Sequence, residues 1–321
     1  MNKPLERHKL VFIVNPAAKN GYCLKIWKRL EKKLSDVQYE VYFTEKEADG
    51  VELATNTAND AVSSVLIVAV GGDGTIHEVI NGVIDFPHVT IGYIPAGSGN
   101  DFARGFRLPA NPEKCIEFIL KWIDSSGVDY DAGFYELGNG QCGYFVNSIG
   151  AGFDAVITKK ANRSELKKWL NVFSLGKLIY AFYLVTEIFR YRPSTLEIFV
   201  DGKTKVYNKT WFVTISNQPY YGGGMQIAPL ADPKDEKLNV VVVHELSRLK
   251  LLFLFISVFW GGHLKNKEVD SYKGKEITVR FYDSKPIHAD GENIGETPIH
   301  IRVCPKSWRL IQNPDKLPPK K

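Results

Sequence analysis

The sequence predicts an α/β protein of two domains, the first built on a parallel sheet and the second mostly antiparallel. Three observations carry this. Up to residue 95, short apolar runs alternate with segments of helical spacing. Beyond about residue 131, six strand-like runs follow with only two helical stretches among them. The 321 residues are also about twice the ~150 of an ordinary domain.

Lys9–Val14 (KLVFIV) is apolar and β-branched and ends at Asn15-Pro16, as a buried strand does. In 24–34, Ile26, Leu30 and Leu34 share one side of a helix opposite Lys and Arg. A strand over 39–43, a helix over 48–59 and a very apolar strand over 65–70 follow, then a helix over 76–83 and a strand over 90–94. In the second half the candidate strands are 145–149, 196–200, 210–216, 238–243, 277–281 and 300–303. The helical stretches there are 165–191 and 249–263, and the tail 314–321 reads as a frayed end. The boundary falls near 127–133, giving domains 1–130 and 131–305, with 306–321 packing back on the first.

Composition narrows the function. Hydrophobic residues at 44% and charged residues at 24% are globular values. A net charge of +5 suits a weak preference for anionic partners and falls short of a nucleic-acid binder. Four scattered cysteines, Cys23, Cys115, Cys142 and Cys304, suggest neither a disulfide framework nor a zinc site and fit a reducing cytoplasm. The start has no signal-peptide run, and the longest apolar run (251–260) is half a membrane span.

Three glycine-rich loops follow strands. Gly71-Gly72-Asp73-Gly74-Thr75 opens a helix, where backbone N–H groups and the helix dipole favour phosphate. Asp73 would repel a bare phosphate; it suits one accompanied by Mg²⁺, or a hydroxyl donor, or else serves as a helix cap. The second loop runs from Pro95 through Gly97, Ser98 and Asn100 to Asp101, and the third holds Asn15 and Lys19. Ligands of parallel sheets bind at such strand ends. No Walker-type loop, dinucleotide fingerprint or Gly-x-Ser-x-Gly is present.

VAVGGDGTIHEVING (68–82) and IPAGSGNDFAR (94–104) resemble the paired motifs of the diacylglycerol kinase catalytic-domain family, which includes bacterial soluble lipid kinases and sphingosine kinases. VNPAAKNG (14–21), VNSIGAGFD (146–154), NQPYYGGG (217–224) and Asp290-Gly291-Glu292 extend the resemblance over nearly the whole chain. It implies an NAD kinase/phosphofructokinase-like first domain and a β-sandwich second domain. It implies ATP bound between the domains, with Asn15, Thr44, Gly72, Asp73, Gly74, Thr75 and Ser98 at nucleotide positions. Asp73 is then tied to Mg²⁺–ATP, Asp101 lies near the transferred phosphate, Glu292 is the general base, and Asp290 sits beside it with a role in holding metal. Without the family, Asp290-Gly291 reads as a hairpin turn. A structural magnesium would use the Asp235 carboxylate and the Asp232 and Lys237 carbonyls. Glu236 stands there in place of a glycine, and the alternative is a solvated acidic turn.

The activity implied is Mg²⁺-dependent phosphoryl transfer from ATP to the hydroxyl of diacylglycerol or a related lipid. The setting implied is cytoplasmic, with peripheral contact at an anionic inner membrane face, no nucleic acid, and a homodimer as one option. The aromatic, basic-flanked segment 166–191 suits a bilayer surface or a core helix, and 249–260 leans to core. Alternatives are an NAD kinase-like phosphotransferase, a catalytically silent nucleotide-binding regulator, and a plain lipid-binding module.

Overall fold

The computed structural model describes residues 9–164 and 176–312. The tail expected at 314–321 and residues 165–175 of the expected long helix lie outside the described residues. The described chain divides into two compact units: 9–103, 107–130 and 306–312 form the first, and 104–106 with 131–305 the second.

In the first unit, β1 (Lys9–Val14), β2 (Glu40–Phe43), β3 (Val65–Gly71) and β4 (Val89–Pro95) form a parallel sheet in the order β2-β1-β3-β4. Every residue of β3 and β4 is buried, as a sheet covered on both faces requires. Helix α1 (Tyr22–Leu30) turns Cys23, Ile26, Trp27 and Leu30 inward, and Phe12, Val68, Ile94 and Ile116 meet them in one core. It ends in a 3₁₀ turn, Glu31–Lys33, where one helix to residue 34 was expected. Helix α2 is Asp49–Asp60, and α3 (Asp73–Val83) begins three residues before its expected start. Two helices were not anticipated: α4 (Asp101–Gly105) and α5 (Pro112–Trp122). Their neighbourhood nonetheless held a start signal, since Asn111 accepts from the N–H of Glu113 and Lys114 with Pro112 at the first position. The returning segment belongs here too: Leu310 pairs with Ile91, and Trp308 stacks on Tyr130 at 5.4 Å.

The second unit holds β5 (Val128–Leu137, from Asp131 on), β6 (Cys142–Phe145) and β7 (Ser148–Gly152), then α6 (Phe153–Arg163) and α7 (Gly176–Glu187). There follow β8 (Ser194–Val200), β9 (Lys203–Ser216), β10 (Leu238–His244), α8 (Arg248–Ser257), β11 (Val269–Gly274), β12 (Glu276–Phe281), β13 (Pro286–Ala289), β14 (Glu292–Glu296) and β15 (Ile299–Leu310). The order β14-β13-β7-β9-β8-β12-β15 is antiparallel, with β10 beside β9 and β11 beside β10. The long strand β9 pairs with β8 through its first half and lies between β7 and β10 through its second. Alternation explains the unbroken apolar run of β10. Leu238, Val240 and Val242 enter one core with Ile215 and Ile277, while Val241 and Val243 enter another with Phe153, Trp211 and Phe255.

The expected strand 145–149 is split, because the N–H groups of Val146, Asn147 and Ser148 are drawn to the Asp290 carboxylate, at 2.9 Å each. The expected helix 249–263 ends at Ser257. Two 3₁₀ turns follow, parted by Gly261 in the left-handed region (φ 71).

Candidate active site

Parallel register lines up the loops of the first unit. Val14 stands opposite both Phe43 and Val70, and Gly71 opposite Pro95. Asn15, Thr44, Gly71–Thr75 and Pro95–Asp101 therefore leave the sheet along one edge. Backbone bonds tie the row together: Asn15 N–H to the Val70 carbonyl (3.0 Å), Thr44 N–H to Val14 (3.0 Å) and Ala96 N–H to Gly71 (2.7 Å). Asn15 Nδ2 donates to Thr75 Oγ1 at 3.2 Å, while its Oδ1 accepts from the N–H of Ala17 and Ala18. Thr44 is buried.

Most of these glycines serve loop packing. A Cβ on Gly97 would lie 2.4 Å from the Gly72 Cα, and one on Gly71 would lie 2.3 Å from Thr75 Oγ1. Gly74 is different, since a Cβ there meets nothing within 4 Å. It stands in the first turn of α3, where the helix dipole and N–H groups attract an anion.

Asp73 caps, but not its own helix. Its Oδ1 accepts the Phe102 N–H of α4 at 2.9 Å, and Gly72 stands at the N-cap of α3. A Cβ on Gly99 would lie 2.7 Å from Asp73 Oδ2 and 3.9 Å from Asp101 Oδ2, so both carboxylates border Gly99. Two hard oxygen donors of this kind fit a Mg²⁺ that arrives with phosphates. Asp101 is buried and Ser98 is exposed at the loop tip. Asn100 is a clamp: Oδ1 accepts from Gly97 N–H (3.2 Å), and Nδ2 donates to the Gly97 carbonyl (3.3 Å). Tyr93, which the sequence reading missed, donates to the Gly71 carbonyl at 3.1 Å, and burial pushes its phenol well above the usual range. Beside the row opens a cleft of about 260 Å³, lined by Lys19, Tyr22, Arg29, Gly97 and Asn100 among others. The Lys19 ammonium lies 4.9 Å from the centroid of the Tyr22 ring. Cys23 and Cys115 are buried thiols whose pKa burial pushes up to about 12, which disfavours the thiolate.

In the second unit, Asp290 and Gly291, both left-handed (φ 48 and 93), form the two-residue turn between β13 and β14. Besides the three N–H bonds to its carboxylate, Asp290 donates its own N–H to the Ser148 carbonyl at 2.8 Å. These bonds make Asp290 an anchor, where a metal-holding role was expected. Glu292 opens β14 and is exposed. Behind the turn, Asn162 Nδ2 of α6 donates to the Gly291 carbonyl at 2.8 Å. The buried pair His288 Nε2 and Asp154 Oδ2 stands 3.3 Å apart. The motif residue Asn217 donates to the carbonyls of Asp131 and Val146. No role was foreseen for Asn162 or Asp131, and neither carries a local signal.

The expected magnesium loop stands as a salt-bridged turn. Asp235 Oδ2 bonds the Lys273 ammonium at 2.5 Å, Asp235 Oδ1 accepts the Lys237 N–H, and the Asp232 carbonyl accepts the Asp235 N–H. Among the described residues, no group of three or more His, Cys, Asp or Glu could hold a metal ion. As placed, Asp232, Asp235 and Lys237 fit an ion pair, and a divalent ion would have to displace Lys273. Glu236 does adopt the left-handed conformation of the glycine it replaces (φ 59), with its N–H held by buried Asp131 Oδ2 at 2.8 Å.

The described residues thus hold an α/β unit with glycine loops along one sheet edge and an antiparallel unit that presents an Asp-Gly-Glu turn. Residues 9–127 match the family described as "Diacylglycerol kinase catalytic domain", and 147–312 match the "YegS C-terminal NAD kinase beta sandwich-like domain". The chain is 34% identical over 305 residues to "Putative lipid kinase YtlR" of Bacillus subtilis, covering 93% of this chain and 98% of that one. It is 27% identical over 322 residues to a Mycobacterium tuberculosis "Diacylglycerol kinase", covering 96% and 97%. A solved structure titled "Crystal structure of a putative diacylglycerol kinase from Bacillus anthracis str. Sterne" shares the fold at TM-score 0.74 and 22% identity, covering 97% of this chain and 99% of that one. The chain belongs to the diacylglycerol kinase catalytic-domain family.

Proposed function

We propose that the protein transfers the γ-phosphate of ATP to the hydroxyl of diacylglycerol or a related lipid. The observation that carries this reading is the row of loops in the first unit, with Gly74 open at the start of α3 and the Asp73 and Asp101 carboxylates both beside Gly99. Loops of this kind have no use in a plain lipid-binding module. Family membership supports a kinase, and the names of the relatives support a lipid acceptor.

The residues divide the chemistry. The first turn of α3 and the neighbouring loops orient the phosphates. Asp73 and Asp101 would hold Mg²⁺, which when bound neutralises charge on the phosphates. Glu292 takes the acceptor hydroxyl proton as the oxygen–phosphorus bond forms and the bond to ADP breaks. Asp290 fixes the turn that presents Glu292. Peripheral contact with the cytoplasmic face of a membrane belongs to the same proposal.

The test is transfer of label from γ-labelled ATP, with Mg²⁺, into a total lipid extract in mixed micelles. A labelled lipid is the expected result. Label appearing only in NAD, offered in parallel, would overturn the lipid acceptor, and no transfer at all would leave a silent nucleotide-binding protein.

A further inference from the structure

Helix α8 and the 3₁₀ turn after it carry large apolar side chains on both sides. Leu251, Leu254, Phe255 and Val258 are buried in the core beneath the helix. Leu249, Phe253 and Ile256 recur at helical spacing on the opposite side, and Phe259 and Trp260 follow them. All five are more than half exposed, Phe253 by 72% and Leu249 by 66%. The expectation that 249–260 is core holds for one face only. Arg248 Nε donates to the Ile188 carbonyl at 3.1 Å and ties the start of α8 to the segment that carries exposed Phe189. Single exposed apolar residues are ordinary, whereas a continuous face of this kind marks an interaction surface.

Charge selects the occupant. Residues 248–267 contain Arg248, Lys250, Lys265 and Lys267 and neither Asp nor Glu. All four cations are exposed, and Lys250 is bridged to Glu268 at 3.3 Å. Phenylalanines and an indole flanked by cations match an anionic bilayer, with rings at the acyl boundary and cations among the phosphates. A second copy docking on the same face about a two-fold axis would bring these cations toward their own counterparts. Among the described residues no helix is long and apolar enough to cross a membrane, and the ten residues of α8 suit an in-plane helix.

We infer that this face docks the protein on an anionic lipid surface, with α8 lying in the plane of the interface. The inference rests on the lipid-acceptor reading and deepens it by naming where the lipid surface is met.

The full chain is sedimented with phosphatidylcholine vesicles and with vesicles that also contain phosphatidylglycerol. Binding should favour the anionic vesicles and weaken in high salt. The double variant Phe253→Ser/Phe259→Ser should bind them about tenfold more weakly at an unchanged melting temperature, since both side chains are exposed. Its transfer of phosphate to a short-chain, water-soluble diacylglycerol should equal that of the wild type. The docking face is overturned if wild type stays in the supernatant with anionic vesicles, or if the double variant binds as tightly as wild type. It is also overturned if wild type is a dimer that the substitutions dissociate without affecting vesicle binding. Transfer to the short-chain lipid without vesicle binding would sink this inference alone; vesicle binding without transfer to any lipid would sink the kinase reading alone.

Discussion

In the first unit the glycine loops are fixed by removing side chains, and in the second the turn before Glu292 is fixed by adding one. Gly72 and Gly97 let two loops approach backbone to backbone, while Gly71 makes room for the Thr75 side chain and Gly99 for that of Asp73. The Asp290–Gly291 turn instead hangs on a single carboxylate that gathers three N–H groups from a segment more than 140 residues earlier in the chain. The first arrangement should be intolerant of any added atom. The second should be intolerant of losing one charge. Both leave a functional group facing outward, Gly74 in one case and Glu292 in the other.

The largest expected effect on stability comes from Asp290→Ala, which strands three N–H groups. It should cost about 3 kcal/mol by denaturant unfolding and lower activity with Glu292 intact. Asp290→Asn should recover part of the loss; a neutral Asp290→Ala would break the comparison. Next is Gly97→Ala, whose Cβ would meet backbone at 2.4 Å and should cost about 1–3 kcal/mol. Gly74→Ala sharpens the contrast. It has open space, so the melting temperature should hold or rise slightly while nucleotide affinity falls in calorimetry.

Glu236→Gly should stabilise by roughly 1 kcal/mol, since a left-handed non-glycine residue is strained there. Chelation by EDTA should leave the melting temperature of the nucleotide-free protein unchanged, because Lys273 already neutralises Asp235. A marked drop would restore the structural metal.

The smallest effect concerns His263, fully buried, with its pKa lowered by burial despite the bond from Nε2 to the Ile227 carbonyl. The fold therefore favours the neutral ring. Its contribution is intact above the ordinary value near 6.5 and is lost as pH falls from there toward the lowered folded value. His263→Asn should flatten that slope in melting temperature against pH.

Much of the first unit was legible because its signals are local. A buried run followed by glycines and a helical period locates β3, the loop and α3 from contiguous residues. The second unit depends on distant partners. Nothing near residue 146 announces that Asp290 will take its N–H and split a strand, and nothing near Asp131 shows that it will hold Glu236. The short strands β13 and β14 carry too few residues for a period to emerge. The glycines were legible as a loop but misleading in part, because close packing and ligand approach both call for the residue without a side chain.

The most direct test of the central claim is Glu292→Gln, measured for ATP affinity by calorimetry and for label transfer to lipid on the same preparation. The account predicts unchanged affinity and melting temperature with a rate roughly 10²–10⁴-fold lower. Full activity, or an equal fall in nucleotide affinity and rate, would contradict it.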